Sequence, residues 1–204
     1  YGNQYDRLEG EKNRWYLAKA IEVYKEAAEK FPDSKYTPQC IQKIKQLESV
    51  ELSFINQDIE TANNPFLASL SFKNTDRVYF KIIKIVYDDY FLNNWYFDEE
   101  KINELLELPS SKEFFVDLPN AKDYQQHRTE IKIPALDFGY YIILSSTDST
   151  FKSNALIASS NITISNLAYI SKSDSKEQIH RLFVVDRISG KGIKNVDITV
   201  SKRI

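Results

Sequence analysis

The sequence predicts an α+β chain: an N-terminal helical hairpin, then an antiparallel β-sandwich with a short helical insertion. Three observations predict it. Apolar residues recur at helical spacing as far as Glu48; from Val50 they alternate with polar residues at period two; and between Asp88 and Leu108 a stretch with a helix-start signature interrupts the alternation.

In the first stretch, from Leu8 to Lys30, the residues Leu17, Ala18, Ile21, Tyr24, Ala28 and Phe31 make one stripe with Glu and Lys between them, the pattern of an amphipathic helix. It stops at Phe31-Pro32-Asp33-Ser34, because proline disfavours helical geometry in the residue before it, and Asp33, Ser34 or Thr37 can cap the next helix. That second helix is expected from about Tyr36 to Glu48, with Cys40, Ile41, Ile44 and Leu47 on one side. The two should fold back on each other. Residues 1–49 therefore read as one unit.

From Val50 the period changes. Val50, Leu52 and Phe54 alternate with Glu51 and Ser53; Phe66, Leu67, Leu70 and Phe72 precede the turn Lys73-Asn74-Thr75-Asp76; Val78, Phe80, Ile82 and Val86 resume the alternation. This predicts a β-meander whose links use ordinary turn residues. The insertion, residues 88–110, opens with the aromatic cluster Tyr90, Phe91, Trp95, Tyr96 and Phe97 and continues through Asp98-Glu99-Glu100. Asp98 suits a helix N-cap, and acids in the first turn complement the helix dipole. A short helix to about Leu108, ended by Pro109, is the expectation. The rings Tyr90, Trp95, Tyr96 and Phe97 have two readings: they anchor the insertion to the sandwich, or they present a platform for a sugar or a partner chain.

Strands return at Phe114–Leu118, Glu130–Ile133, Tyr140–Ser146 and Ile162–Ile170, the third entered through Pro134-Ala135-Leu136-Asp137-Phe138-Gly139. Gly139 supplies an unusual backbone angle there, and Tyr141 and Ile143 share one face. A polar link, Ser171–Lys176, then leads to Leu182–Val185 and, past the turn formers Asp186, Ser189, Gly190, Gly192 and Asn195, to the alternating Val196, Ile198 and Val200. The sandwich is thus expected over 50–172 and a β-hairpin of a following module over 177–204.

Composition narrows the function classes. At 204 residues, 42% hydrophobic and 27% charged, the chain is globular. A formal charge of −2 implies no basic face for nucleic acid. No apolar run approaches the ~20 residues that a membrane-crossing helix needs, so no membrane insertion is expected in this segment. The chain starts at Tyr1 and has no Met, as a mature segment or fragment would. One Cys, Cys40, excludes an internal disulfide framework and a Cys-rich metal site.

Catalytic chemistry finds little to stand on. His127 and His180 are the two histidines, far apart in sequence, and neither belongs to a nucleophile elbow, a zinc-protease motif or a phosphate-binding loop. Both read as exposed or structural. The acids Asp88-Asp89 and Asp98-Glu99-Glu100 lack the spacing of a calcium loop. No catalytic, metal or cofactor-binding residues are expected.

Two resemblances add to this. The series Ala20, Tyr24, Ala27, Phe31-Pro32-Asp33-Ser34, Tyr36 and Cys40 resembles a tetratricopeptide-type repeat. Val185-Asp186-Arg187-Ile188-Ser189-Gly190-Lys191-Gly192-Ile193-Lys194-Asn195-Val196 resembles the phrase that opens a β-sandwich module in bacterial alpha-2-macroglobulin-like proteins, with Gly192 where that family usually has proline. The segment from Ile131 through Pro134, Leu136 and Gly139 to Tyr141 is similar to the family's entry into its last core strand, and Ile162–Ile170 to its closing strand. The resemblance covers about Glu130 to Val200 and implies a macroglobulin/immunoglobulin-like sandwich at the N-terminal side of an envelope protein of Bacteroidetes-type bacteria, periplasmic or anchored to the outer membrane. It implies a non-catalytic structural or interaction role in a parent that binds or inhibits proteases. Expected partners are a protein, a protease among them, or other domains of the same chain. Family members that trap proteases covalently use a Cys-Gly-Glu-Gln thioester; Cys40 is followed by Ile41-Gln42-Lys43, so that chemistry is not in these residues. A cell-surface glycan- or protein-binding module is the alternative, with Tyr90, Trp95, Tyr96 and Phe97 as contacts.

Overall fold

A computed structural model describes residues 11, 13–86, 98–152, 156–174 and 179–199. Helix α1 spans Tyr16–Lys30 and α2 spans Thr37–Glu48. They lie against each other, and Lys25 Nζ donates to Glu48 Oε1 at 2.8 Å across the pair. The first helix begins later than the periodicity suggests, because Asn13 takes a left-handed φ of 68° and the chain turns there.

Among the described residues ten strands come next: β1 (Glu51–Ile55), β2 (Ile59–Glu60), β3 (Phe66–Lys73), β4 (Arg77–Ile85), β5 (Ser110–Asp117), β6 (His127–Ile133), β7 (Gly139–Ser146), β8 (Ile157–Ile164), β9 (Leu167–Asp174) and β10 (Ile179–Asp186). Helix α3 (Glu99–Leu106) stands between β4 and β5. Its N-cap is Asp98, whose carboxylate accepts from the Lys101 N–H, as the sequence indicates.

The strands make a three-stranded sheet ordered β1-β3-β6, a five-stranded sheet ordered β2-β8-β7-β4-β5, and a separate β9-β10 ribbon. The meander expectation fails. Strands β3 and β4 do not pair; their link carries the chain from one sheet to the other. Period two says which face of a strand is buried, and it is silent on the neighbour. Pairing is antiparallel except for β2, which lies parallel to β8.

The two larger sheets share one core. Phe54, Phe66, Leu70 and Phe72 from the smaller sheet meet Val78, Phe80, Ile82, Tyr141, Ile143, Ile162 and Ile164 from the larger. Phe80 stacks on Phe114 at 4.8 Å and meets the Phe54 ring edge-on at 5.6 Å. Each such aliphatic side chain, fully buried, contributes about 1.5–3 kcal/mol.

The larger sheet is also covered on its far side. Ile142 and Leu144 of β7 join Ile83, Leu105 of α3 and Phe151 in a second cluster. Hence β7 is buried on both faces, and its run Tyr141-Ile142-Ile143-Leu144 is apolar throughout instead of alternating. Gly139 starts β7 with φ at 150°, and an added Cβ there would lie 2.6 Å from Lys84 Cε. Two residues on, the Tyr141 hydroxyl donates to the Asp137 carbonyl at 3.1 Å, locking the entry corner.

The end of the chain departs from expectation. Ile162–Ile170 is not one strand: it breaks at Ser165-Asn166, because the Asn166 side chain leaves the ladder to accept from the Ala62 N–H at 3.0 Å. Strand β10 pairs with β9, and the described part of Val196–Val200 is not a strand; only Gly192 forms a bridge, with Val185. Alternation alone does not make a strand; the backbone must also pair along a neighbour, and here that pairing ends at the Ile193 N–H bond to the Val184 carbonyl.

Candidate functional site

Tyr90, Trp95, Tyr96 and Phe97, with Asp88 and Asp89, lie outside the described residues. His180 sits in β10 opposite Ser173. His127 starts β6 with its ring 5.6 Å from the Phe72 ring. The two histidines thus belong to different strands of different sheets, β6 and β10.

What His127 does have is Asp123, which sequence reasoning missed. Asp123 sits in the β5–β6 loop between two left-handed residues, Lys122 (φ 54°) and Tyr124 (φ 58°), and this reversal turns its carboxylate inward until the residue is 1% exposed. Arg14 Nε donates to Oδ2 at 2.8 Å, the Gln125 N–H donates to Oδ1 at 3.1 Å, and His127 Nε2 lies 2.9 Å from Oδ1. A carboxylate only accepts, so in that contact the proton is on Nε2. Burial alone would push the Asp123 carboxyl up; the bonds from Arg14, His127 and Gln125 outweigh it and hold the group below its usual range. The same contact raises the Arg14 guanidinium.

This arrangement is a clamp. Gln125 Nε2 also donates to the Arg14 carbonyl at 3.1 Å, so the loop grips the start of α1 twice. At the other end, Lys73 Nζ donates to the Gln46 carbonyl at 3.2 Å and to Glu51 Oε1 at 2.7 Å, while Asn74 Nδ2 donates to the carbonyls of Leu47 and Ser49. Neither apolar cluster contains a residue of α1 or α2. The helix pair is fixed to the sandwich by polar bonds at its ends. Between them runs a cleft of about 690 Å³ lined by Tyr16, Leu17, Tyr24, Lys43, Tyr124 and Gln126 among others.

As acid–base machinery the trio is incomplete. The carboxylate oxygen that His127 does not use is held by Arg14, and the polar contact found for the His127 ring is the one to Asp123. Among the described residues no group of three His, Cys, Asp or Glu could hold a metal ion. Cys40 is a half-buried free thiol on α2.

The other candidate is the β9–β10 ribbon. Tyr169 is 71% exposed, Ile170 59% and Phe183 51%, with Leu167 and Leu182 also exposed. Register sets Ile170 opposite Phe183 and Tyr169 opposite Val184, so both faces carry apolar side chains in water. Its base is fastened: the Arg187 N–H donates to the Asn166 carbonyl at 2.7 Å and Arg187 Nη2 to the Leu167 carbonyl at 3.3 Å. Beyond it, the Asp186 carboxylate accepts from the Ser189 side chain and N–H, both at 2.7 Å, which holds it below the usual range and closes the turn. The exposed residues belong to strands whose alternation was legible; that neither face would find cover was not.

No family model matches the chain, and no curated protein matches it in sequence. Among solved structures it is similar to a native alpha-2-macroglobulin fragment from Escherichia coli spanning three domains, at 12% identity and a TM-score of 0.48, over 71% of this chain and 47% of that one. It thus spans about half of that fragment. It is also similar to the metal-bound CARDB domain of a Pyrococcus furiosus protein, at 9% identity and a TM-score of 0.31, over 57% and 88% of the two chains. A third, the soluble domain of PmoD from a Methylocystis species, has 11% identity and a TM-score of 0.29, over 57% and 90%.

Proposed function

We propose that this chain is a non-catalytic structural and interaction region of a bacterial alpha-2-macroglobulin-like envelope protein whose parent binds or inhibits proteases. The observation that carries the interaction reading is the β9–β10 ribbon. A ribbon with Tyr169, Ile170 and Phe183 in water, tied at its base to the sandwich by the Ala62 N–H bond to Asn166 and leaving a core that is filled without it, suits a protein-contact surface on a rigid frame. The family reading rests on the phrases between Glu130 and Val200. The tetratricopeptide-like character of α1 and α2 belongs to the same reading. A lone unit of that kind needs a neighbour to rest on, and the Arg14–Asp123 contact, with the bonds from Lys73 and Asn74 to the Gln46 and Leu47 carbonyls, supplies one. Envelope localisation follows from the family resemblance alone; no helix among the described residues is long and apolar enough to cross a membrane.

The test compares the parent protein with a variant lacking residues 1–204. Each is mixed with a protease, and cleavage of a large protein substrate is measured beside that of a small chromogenic peptide. The intact parent should suppress the first and spare the second, and removal of residues 1–204 should weaken that shielding. Equal shielding by both proteins would sink the assigned role.

A further inference from the structure

The ribbon carries a charge pattern as well as exposed rings. Its register sets Phe183 opposite Ile170 and, two residues along, Arg181 opposite Lys172. Residues two apart on a strand share a face, so on one surface of the ribbon the basic pair follows Ile170 and Phe183, and Asp174 opposite Ile179 ends the row. Directly opposed like charges weaken a strand pair, and a carboxylate brought to that pair relieves the repulsion. Arg181 already makes contacts within the chain. Exposed Lys172 is then the cation offered outward, and Arg181 sets the sign of its surroundings. Strand β9 has β10 as its one strand neighbour among the described residues. Its outer edge presents backbone donors and acceptors that only another polypeptide matches in spacing.

We propose that this edge and face receive an extended acidic segment of a partner protein. The segment adds as a strand beside β9, with an apolar residue against the Ile170 and Phe183 side chains and a carboxylate at Lys172. The inference deepens the reading of the ribbon as a protein-docking surface and rests on it. It names the chemistry of what docks.

Fluorescence anisotropy on the whole chain tests it with two labelled peptides, one alternating valine with glutamate and one alternating valine with lysine. The glutamate peptide should bind at least about tenfold more tightly, since like charge across an interface is penalised. Lys172→Glu should reverse that preference. Because the new carboxylate faces Arg181 across the strands, the melting temperature should hold or rise, so lost binding is not lost folding. Lys172→Gln should fall between the two. Equal affinity for both peptides, abolished by Phe183→Ser, overturns the acidic preference and leaves the docking surface standing. Binding of neither peptide overturns the proposal, as does uptake onto phosphatidylglycerol vesicles without peptide binding. Protease shielding by the parent is read in a separate assay, so failure there is distinct from failure here.

Discussion

Arg14 and Asp123 stand 109 residues apart in sequence and meet at 2.8 Å, and this contact ties the start of α1 to the β5–β6 loop. Asp123 is buried, so its charge is held by bonds and not by water. Asp123→Asn keeps the shape and removes the charge; it should loosen α1 by about 1.5–3 kcal/mol, the range for hydrogen bonds to charged groups. The readout is hydrogen exchange of the α1 amides, which should speed up while those of β7 do not.

The same contact sets a pH dependence. A carboxyl whose folded pKa is depressed stabilises the fold at pH above its unfolded value, about 4 for Asp, and that contribution is lost as pH falls through the lower folded value. The Asp123 clamp should therefore be intact at neutral pH and release α1 only in acid. Trp15, beside Arg14, reports it by fluorescence once Trp95 is replaced by Phe. A Trp15 signal that stays flat from about pH 5 to pH 2 would contradict the assignment.

Gly139→Ala separates backbone strain from crowding. The φ of 150° is one that residues with a Cβ rarely adopt, and the nearest obstacle is the flexible Lys84 side chain. The substitution should cost about 1–3 kcal/mol. Adding Lys84→Ala should not restore the loss; full rescue in urea unfolding would show that crowding was the cause.

Tyr141→Phe removes the bond to the Asp137 carbonyl and leaves the ring in the core. Loss of about 1 kcal/mol is expected, a typical net value for one hydrogen bond. Ile143→Ala, at a site with no exposed surface, should cost about 2–5 kcal/mol. If chemical denaturation gave Tyr141→Phe the larger loss, the corner and not the core would govern this strand.

Much of the fold was legible because burial writes itself into period. The strands from Phe54 to Ile143, the Asp98 cap and the role of Gly139 all follow from local pattern. What period two does not encode is the choice of neighbour. Hence β3 and β4 looked like a hairpin and belong to different sheets, and Val196–Val200 looked like a strand, although its described residues join no sheet. The clamp was hidden for another reason. Ala121-Lys122-Asp123-Tyr124 reads as an ordinary polar loop, and only the left-handed turns at Lys122 and Tyr124 carry the carboxylate inside. Phe151, in a link that reads as polar, is likewise buried in the second apolar cluster.

The seating of β7 between β4 and β8 has a consequence for biosynthesis. Its partners place Tyr79 beside Ser146 and Gly139 beside Ile164, so the central slot stays open until residue 164 has emerged from the ribosome. Distant pairings of this kind form slowly and leave apolar edges unguarded meanwhile. A nascent chain halted before that point would be a strong client for chaperones, and one halted just after it would not.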